Sequence, residues 1–234
     1  MICKEKIFIM LKRLAKRLIK NISPSYLERI LSQSILKNRF SELENVKDFT
    51  NKKDLWFETI NLLKKETINF LEFGVWEGDS IKEFSKLNQN LNSKFYGFDS
   101  FMGLPNDWDK TYPKGYFSVN GLIPKTTDKR ITFIKGWFQN TLPTFLVENN
   151  IKKNLIVHYD ADLYSSTLFC LSQLDSLKIP YIAIFDEFYS HEMRALENYK
   201  DAFGAKIQFL GKTTNENYPI QVSCRIIPSK FFQI

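Results

Sequence analysis

Cysteine, glycine and long apolar runs are scarce in this chain of 234 residues, and each shortage excludes a class of protein. The three cysteines, Cys3, Cys170 and Cys224, are odd in number and far apart, which excludes a disulfide scaffold and predicts reduced thiols in a cytoplasmic protein. No apolar run approaches the ~18 residues that a membrane-spanning helix needs. Seven of the nine glycines lie between Gly74 and Gly136, where permissive backbone would let a ligand approach closely.

What the chain does contain is ordinary globular composition, with 44% hydrophobic and 25% charged residues, and a basic first segment. Residues 1–22 hold seven Lys and Arg against one Glu, a net charge of +6, whereas the rest holds 26 against 25. A nearly neutral body excludes a nucleic-acid partner. Apolar residues recur in the basic segment at helical spacing, at Ile7, Leu11, Leu14, Leu18 and Ile22.

This predicted basic helix has two interpretations that the sequence leaves open. One is peripheral contact with an anionic membrane surface, at the inner face of the membrane. The other is packing against the chain's own domain or against the partner in a homodimer. A further helical region is expected over 41–66, so that residues 1–66 form an N-terminal helical extension.

From residue 67 onward, short apolar runs alternate with helical stretches, which predicts an α/β domain over 67–234 with a mostly parallel sheet. Seven strands are expected: Ile68–Phe73, Phe95–Asp99, Ile131–Lys135, Leu155–Asp160, Tyr181–Asp186, Lys206–Leu210 and Gln221–Ile227. Helices are expected over 78–89, 139–149, 165–177 and 190–203. The last two strands have no helix between them, so a hairpin should make the last strand antiparallel. The long segment 102–130 should be a functional loop.

The first two strands of this domain end in residues suited to a nucleoside with an amino group. Glu72, Gly74 and Gly78 surround the first strand–helix turn, but their spacing is not the dinucleotide fingerprint, and the acidic residues there would repel a pyrophosphate. A cationic amino group would suit them. Asp99 ends the second strand, where an acid can accept both hydroxyls of a ribose. Together these features outline S-adenosylmethionine.

The fourth and fifth predicted strands end in carboxylates that should meet at the same edge of the sheet. Asp160 and Asp162 follow one strand, and Asp186 and Glu187 follow the next. Four carboxylates around one crevice repel one another unless a cation compensates them. Oxygen ligands without His or Cys pairs favour Mg²⁺ or a similar hard ion.

Several segments resemble the macrocin O-methyltransferase family, which comprises class I S-adenosylmethionine-dependent enzymes acting on sugar hydroxyls of natural products and glycans. The resemblance covers about residues 67–200. Its motifs occur in order along the chain: Glu72-Phe73-Gly74-Val75-Trp76-Glu77-Gly78, Phe98-Asp99-Ser100-Phe101, Lys135-Gly136-Trp137-Phe138-Gln139 and Asp160-Ala161-Asp162-Leu163-Tyr164-Ser165-Ser166-Thr167.

The resemblance implies a Rossmann-like methyltransferase fold with seven strands, bound Mg²⁺ and an O-methylated product. It implies that the cofactor is held by Glu72, Gly74 and Asp99. Gly78, Ser100 and Trp137, which stand in the same segments, are further candidates for cofactor binding, and Trp137 could border the adenine. The resemblance also implies that the metal is held by Asp160, Asp186 and the residue after Asp186. The family usually has a second Asp there, whereas this chain has Glu187, one methylene longer.

The expected reaction is metal-assisted methyl transfer to a hydroxyl of a sugar or glycosylated natural product, with Asp162 as the general base. His158 and His191 are reserve bases, or else structural. Trp108, Tyr112 and Tyr116 of the long loop are candidates for stacking on a sugar ring. The alternatives are an NAD-dependent oxidoreductase on a related fold, and a noncatalytic scaffold that docks on a membrane or a partner.

Overall fold

The computed structural model describes residues 12, 24–63, 66–216 and 218–229. The boundary between its two compact units falls between Phe40 and Ser41. The first unit contributes helix α1 (Pro24–Arg39). Apart from Lys12, the basic segment 1–22 lies outside the described residues, and so does the helix expected there. Within the described ranges, no helix is long and apolar enough to cross a membrane.

The second unit is an α/β domain whose strands and helices alternate along the chain. Its strands are β1 (Asp48–Phe49), β2 (Asn69–Phe73), β3 (Lys94–Asp99), β4 (Ile131–Lys135), β5 (Leu155–Tyr159), β6 (Tyr181–Phe185), β7 (Lys206–Asn215) and β8 (Tyr218–Ile227). Its helices are a short 3-10 helix (Ser41–Asn45), α2 (Lys52–Asn61), α3 (Asp79–Leu87), α4 (Phe138–Glu148), α5 (Tyr164–Asp175) and α6 (His191–Phe203).

The eight strands of the described residues form one sheet in the order β1-β7-β8-β6-β5-β2-β3-β4. The five strands from β4 to β6 pair in parallel, and β8 is antiparallel to both β6 and β7. The α/β class, the mostly parallel sheet and the antiparallel last strand are therefore confirmed. The central strands β5 and β6 are buried at every position because helices cover both faces of a parallel sheet.

Two details of the predicted fold are wrong. The sheet has eight strands rather than seven, because Asp48 and Phe49 pair in parallel with β7 at its outer edge. This strand also interrupts the helical region expected over 41–66, of which only the 3-10 helix and α2 are helical. A two-residue strand gives no periodic signal, so its pairing partner alone defines it.

The hairpin at the end of the domain is confirmed, but its strands are longer than expected. The turn-rich composition after Gly211 predicted a loop, whereas β7 continues to Asn215 and β8 begins at Tyr218. Register shifts within the β7–β8 ladder accommodate this irregular stretch. The extended hairpin places Gln221 in a buried position beside the end of β6.

The carboxyl ends of β2 and β5 approach each other so closely that only glycine fits at the turn after β2. Gly74 has a φ of +93°, and a Cβ added there would lie 1.7 Å from the carbonyl oxygen of Asp160. The adjacent amide of Asp160 donates to the Phe73 carbonyl oxygen at 2.9 Å, which fixes the approach. The geometry of this end of the sheet therefore depends on the absence of a side chain at position 74.

We expect Gly74→Ala to lower the free energy of unfolding more than Gly115→Ala does. Both glycines have positive φ, +93° and +83°, so both substitutions carry a left-handed penalty of about 1–2 kcal/mol. Only Gly74 adds a collision with backbone, since nothing lies within 4 Å of a Cβ at Gly115. Urea denaturation measures both effects, and equal losses of stability would contradict the close approach.

Candidate active site

A cleft of about 630 Å³ opens at the carboxyl ends of the parallel strands. Its walls come from the β2–α3 turn, the end of β3, the β4–α4 turn, the end of β5 and the first residues of α2. Ligand sites of open α/β sheets lie at this edge. Six residues predicted for the site line the cleft: Gly74, Asp99, Ser100, Trp137, Asp160 and Asp162.

Asp99 holds the β2–α3 turn against the end of β3. Its Oδ2 accepts hydrogen bonds from the backbone amides of Val75 at 2.8 Å and Trp76 at 2.9 Å. Its Oδ1 accepts one from the amide of Phe101 at 2.7 Å. A carboxylate has roughly four acceptor positions, so about one remains for a ligand in the cleft. The sequence expectation of two ribose hydroxyls on Asp99 did not allow for these backbone donors.

The other predicted cofactor residues occupy different depths. The hydroxyl oxygen of Ser100 accepts from the amide of Met102 at 3.0 Å and shapes the turn beside Asp99. Trp137 precedes α4 and lies on the rim of the cleft, with 39% of its surface exposed. Gly78, with a φ of +77°, caps α3 and is buried beneath Pro124 of the long loop. The structure thus brings Ser100 and Trp137 to the cleft wall and Gly78 behind it.

Glu72 is fully buried and is not among the described residues that line the cleft. Its Oε1 is 3.0 Å from Nδ1 of His158, which is also fully buried. Burial raises the pKa of Glu72, while the bond to His158 opposes this. Its second oxygen, Oε2, has no hydrogen-bond partner in the part of the chain that the structure describes. Glu72 and His158 therefore form a buried polar pair next to the β2–α3 turn.

His158 joins Glu72 to the carboxylates that follow β5 and β6. Its Nε2 faces Oδ1 of Asp186 at 3.7 Å. Burial alone would lower the pKa of His158, but its contacts with Asp186 and Glu72 raise the pKa to about 10. The sequence offered His158 only as a reserve base or a structural residue. In the β2–β5 register it lies opposite Glu72, and both side chains are fully buried.

One group of described side chains has donor atoms close enough to hold a metal ion: His158, Asp160 and Asp186, with ligand atoms within 4.8 Å of one another. Two of the three predicted metal ligands, Asp160 and Asp186, are thus brought together. Glu187 is not in this group, and its backbone amide donates to Oε2 of Glu192 at 3.0 Å. The sequence did not single out Glu192, which is buried and whose Oε1 has no partner among the described residues.

Carboxylates crowd one another at this edge of the sheet. Burial and the charges of Glu187 and Asp186 raise the pKa of Asp162 to about 7. Burial and the charge of Asp186 raise the pKa of Glu187 to about 7 as well. Burial raises the pKa of Asp160 well above its usual value, and the neighbouring Asp186 charge adds to this. For Asp186 burial acts in the same direction, but the hydrogen bond to His158 leaves its pKa lowered.

An aromatic cluster stands at the mouth of the cleft and includes the three predicted stacking residues. It consists of Trp76 and four residues of the long loop: Trp108, Tyr112, Tyr116 and Phe117. Ring centroids of successive members lie 4.7–5.9 Å apart. Trp76 and Phe117 line the cleft, and both have positive φ, +49° and +64°. Strained backbone at two large residues is typical of functional sites. Sequence reasoning missed both residues.

Comparison with known proteins agrees with this geometry. The family described as macrocin-O-methyltransferase (TylF) matches residues 54–209. A structure of CalS11, a calicheamicin methyltransferase, is 18% identical and has a TM-score of 0.55, covering 88% of this chain and 94% of its own. The O-methyltransferase NovP is 19% identical with a TM-score of 0.52, covering 78% of each chain.

A third similar structure is the O-methyltransferase TomG from Streptomyces achromogenes, described in complex with SAM and as involved in tomaymycin synthesis. It is 10% identical with a TM-score of 0.51, covering 85% of this chain and 89% of its own. At these identities the three structures show the fold. No curated protein matches the sequence.

The family match and the fold define the class of enzyme, an S-adenosylmethionine-dependent O-methyltransferase. Because the match covers about two thirds of the residues, the chain belongs to the macrocin-O-methyltransferase (TylF) family. The family resemblance drawn from the sequence motifs is confirmed. Neither alternative, the oxidoreductase or the noncatalytic scaffold, finds support in these comparisons.

We expect Asp99→Ala to weaken binding of S-adenosylhomocysteine at least tenfold. The substitution removes the acceptor for three backbone amides, which loosens the turn that shapes the cleft. It also removes the remaining acceptor position for the ligand. Isothermal titration calorimetry measures the affinity, and thermal unfolding checks that the variant is folded. Asp109→Ala is the control, because that Asp also accepts backbone amides but lies outside the cleft lining. A folded Asp99→Ala variant with wild-type affinity would remove Asp99 from the site.

Proposed function

We propose that the enzyme methylates a hydroxyl of a sugar or of a glycosylated natural product, and that a divalent cation, Mg²⁺ or a similar ion, assists the reaction. The observation that carries this proposal is the adjacency, in one cleft, of the glycine turn held by Asp99 and the carboxylates after β5. The names of similar proteins support the acceptor class. The description of the matched family names macrocin as the methylated compound, and CalS11 is also described as a TDP-rhamnose 3'-O-methyltransferase.

The cleft fits S-adenosylmethionine, which would supply a methyl group bonded to a sulfonium sulfur. Gly74 gives the ligand access to backbone, and Asp99 keeps about one acceptor position for a ribose hydroxyl. Ser100 and Trp137 flank that position from the β3 and β4 sides. Glu72 remains a proposed partner of the cationic amino group of the cofactor through its second oxygen, Oε2, since its Oε1 is paired with His158.

The residues after β5 and β6 fit a hard divalent cation. Asp160 and Asp186 offer carboxylate oxygens, and the uncompensated charge in the cluster favours a cation there. His158 is the third residue of the group, and its Nε2, which has no hydrogen-bond partner among the described residues, would coordinate a metal ion only after losing its proton. Glu187 remains a proposed ligand from the adjacent turn. A cation held there would lower the pKa of a bound hydroxyl and orient it.

We assign to Asp162 the role of the general base, which accepts the proton that the acceptor hydroxyl loses. It lines the cleft two residues after Asp160, in a left-handed backbone conformation with a φ of +58°. Bound S-adenosylmethionine would supply the methyl group to the hydroxyl oxygen and would leave as S-adenosylhomocysteine, while the carboxylate of Asp162 would accept the hydroxyl proton. Alignment of the reactants supplies much of the rate in such a transfer.

The aromatic cluster defined by Trp76, Trp108, Tyr112, Tyr116 and Phe117 supports a sugar acceptor. Its rings stand beside the cleft, and those of Trp76 and Tyr116 are 48% and 44% exposed. An aromatic face packs favourably against the apolar face of a sugar ring. We therefore propose this cluster as the platform on which the acceptor rests during transfer.

Residues 1–22 carry a second, independent proposal. Their net charge of +6 and apolar spacing suit docking on the anionic inner face of the membrane by an otherwise cytoplasmic enzyme, or contact with a second copy of the chain. Vesicle sedimentation and analytical ultracentrifugation of the full chain and of a chain lacking these residues distinguish the two. If the truncated chain behaves like the full chain in both assays, the proposal is contradicted.

The proposed function is tested by binding first and by transfer second. Calorimetry should detect S-adenosylhomocysteine binding and no NAD binding. Methyl-labelled S-adenosylmethionine and Mg²⁺ should then label an acceptor from a panel of nucleotide sugars and glycosylated natural products. Binding of NAD would contradict the proposed cofactor. Labelling confined to acceptors without a sugar would contradict the proposed acceptor.

We expect Asp160→Asn and Asp162→Asn to fail in different ways. Asp160→Asn should lose Mg²⁺ affinity and activity together, and excess Mg²⁺ should restore part of the activity. Asp162→Asn should keep Mg²⁺ and cofactor affinity yet lose turnover by about 10²–10⁴-fold, the usual contribution of a general base. Asparagine tolerates the left-handed conformation at this position, so the backbone is preserved.

Calorimetry and labelled-methyl assays measure these quantities, with Glu148→Gln as the control. That exposed carboxylate ends α4, at the opposite end from the cleft. Loss of Mg²⁺ binding in Asp162→Asn would contradict the division of roles, in which Asp160 holds the cation and Asp162 is the base. Wild-type turnover in that variant would exclude Asp162 as the base. Methyl-transfer activity that a chelator does not reduce would exclude a part for the cation in the reaction.

A further inference from the structure

Two buried side chains connect helix α2 to the carboxylate of Asp186. The indole Nε1–H of Trp56 donates to Oε1 of Gln221 at 2.8 Å. The amide nitrogen Nε2 of Gln221 donates to Oδ1 of Asp186. Trp56 and Gln221 are 3% and 2% exposed, so water does not replace these contacts. The three residues come from α2, β8 and the turn after β6.

The chemistry of the indole fixes which way the Gln221 amide faces. An indole nitrogen can only donate, so Trp56 must meet the carbonyl oxygen of the amide and not its nitrogen. The amide nitrogen is thereby directed at Asp186. A glutamine without this neighbour could rotate by half a turn and present an oxygen to the carboxylate, which would repel it. Trp56 therefore determines that Gln221 attracts Asp186.

The turn that carries Asp186 is also fixed through its backbone, so the remaining freedom lies in the side chain. The amide of Asp186 donates to the Tyr159 carbonyl oxygen at 3.0 Å, and the amide of Phe188 donates to the Ile220 carbonyl oxygen at 2.7 Å. Gln221 then fixes the carboxylate by holding Oδ1. The second oxygen, Oδ2, has no donor among the described residues and is left for a ligand.

We propose that Trp56 and Gln221 are positioning residues that orient the Asp186 carboxylate for cation binding. The inference rests on the proposed function, since Asp186 is a proposed ligand. Gln221 lies beyond the residues 54–209 that match the family, and so the family comparison gives it no role. Donors that orient a metal-binding carboxylate usually contribute 10–100-fold to metal affinity.

The test measures Mg²⁺ affinity by calorimetry on the full chain saturated with S-adenosylhomocysteine. Gln221→Leu should weaken Mg²⁺ binding about 10–100-fold, and Trp56→Phe, which keeps a ring against Phe84 but removes the donor, should weaken it by a smaller factor. In Gln221→Leu, whose side chain does not line the cleft, S-adenosylhomocysteine affinity should stay within about threefold of wild type. Gln208→Leu is the matched control, the same change at an exposed position of the adjacent strand β7.

The double variant distinguishes a relay from two separate structural effects. If Trp56 acts only by orienting Gln221, adding Trp56→Phe to Gln221→Leu should cause no further loss of Mg²⁺ affinity. Additive losses, wild-type Mg²⁺ affinity in Gln221→Leu, or equal losses of Mg²⁺ and cofactor affinity would each overturn the inference while leaving the proposed function intact. A wild-type chain that binds S-adenosylhomocysteine but no divalent ion would overturn the cation assignment and this inference with it.

Discussion

The imidazole of His158 lies between two carboxylates in the middle of the sheet, and this buried charge cluster constrains the register of the strands that carry it. Glu72, His158 and Asp186 come from β2, β5 and the end of β6, three neighbouring strands. Leaving any one of these groups ionised and unpaired in the interior would cost several kcal/mol. A slip of one residue between β2 and β5 would send Glu72 and His158 to opposite faces. The cluster thus opposes any other register at the point where the cleft opens.

Much of the fold could be predicted from the sequence because its signals are local. The apolar runs Leu155–Val157 and Tyr181–Phe185 indicate buried strands, and both lie in central strands of the sheet. The edge strand at Asp48 could not be predicted, since two residues show no period and the strand exists only because β7 offers a partner. The helical region expected over 41–66 is therefore confirmed only in the 3-10 helix and in α2.

The candidate site, too, could be predicted from the sequence only in part. Asp99, Asp160 and Asp162 were predictable because they end strands, and strand ends converge at one edge of a parallel sheet. The donors that occupy Asp99 were not, because backbone amides carry no sequence signal. Gln221 could not be found either, since it is 165 residues from the Trp56 that orients it and neither residue belongs to a motif. Several residues that carry the family resemblance line the cleft, whereas the donors that hold them became visible only in the structure.

The position of β8 has a consequence for how the chain acquires its site during synthesis. This strand is the last in sequence, yet it lies between β6 and β7 and carries Gln221. Contacts of such long sequence separation form late because a large loop must close first. A nascent chain that has emerged only as far as β7 contains every acidic residue of the cleft but lacks the donor to Asp186. The site is completed only when the C-terminal strand is inserted into the sheet.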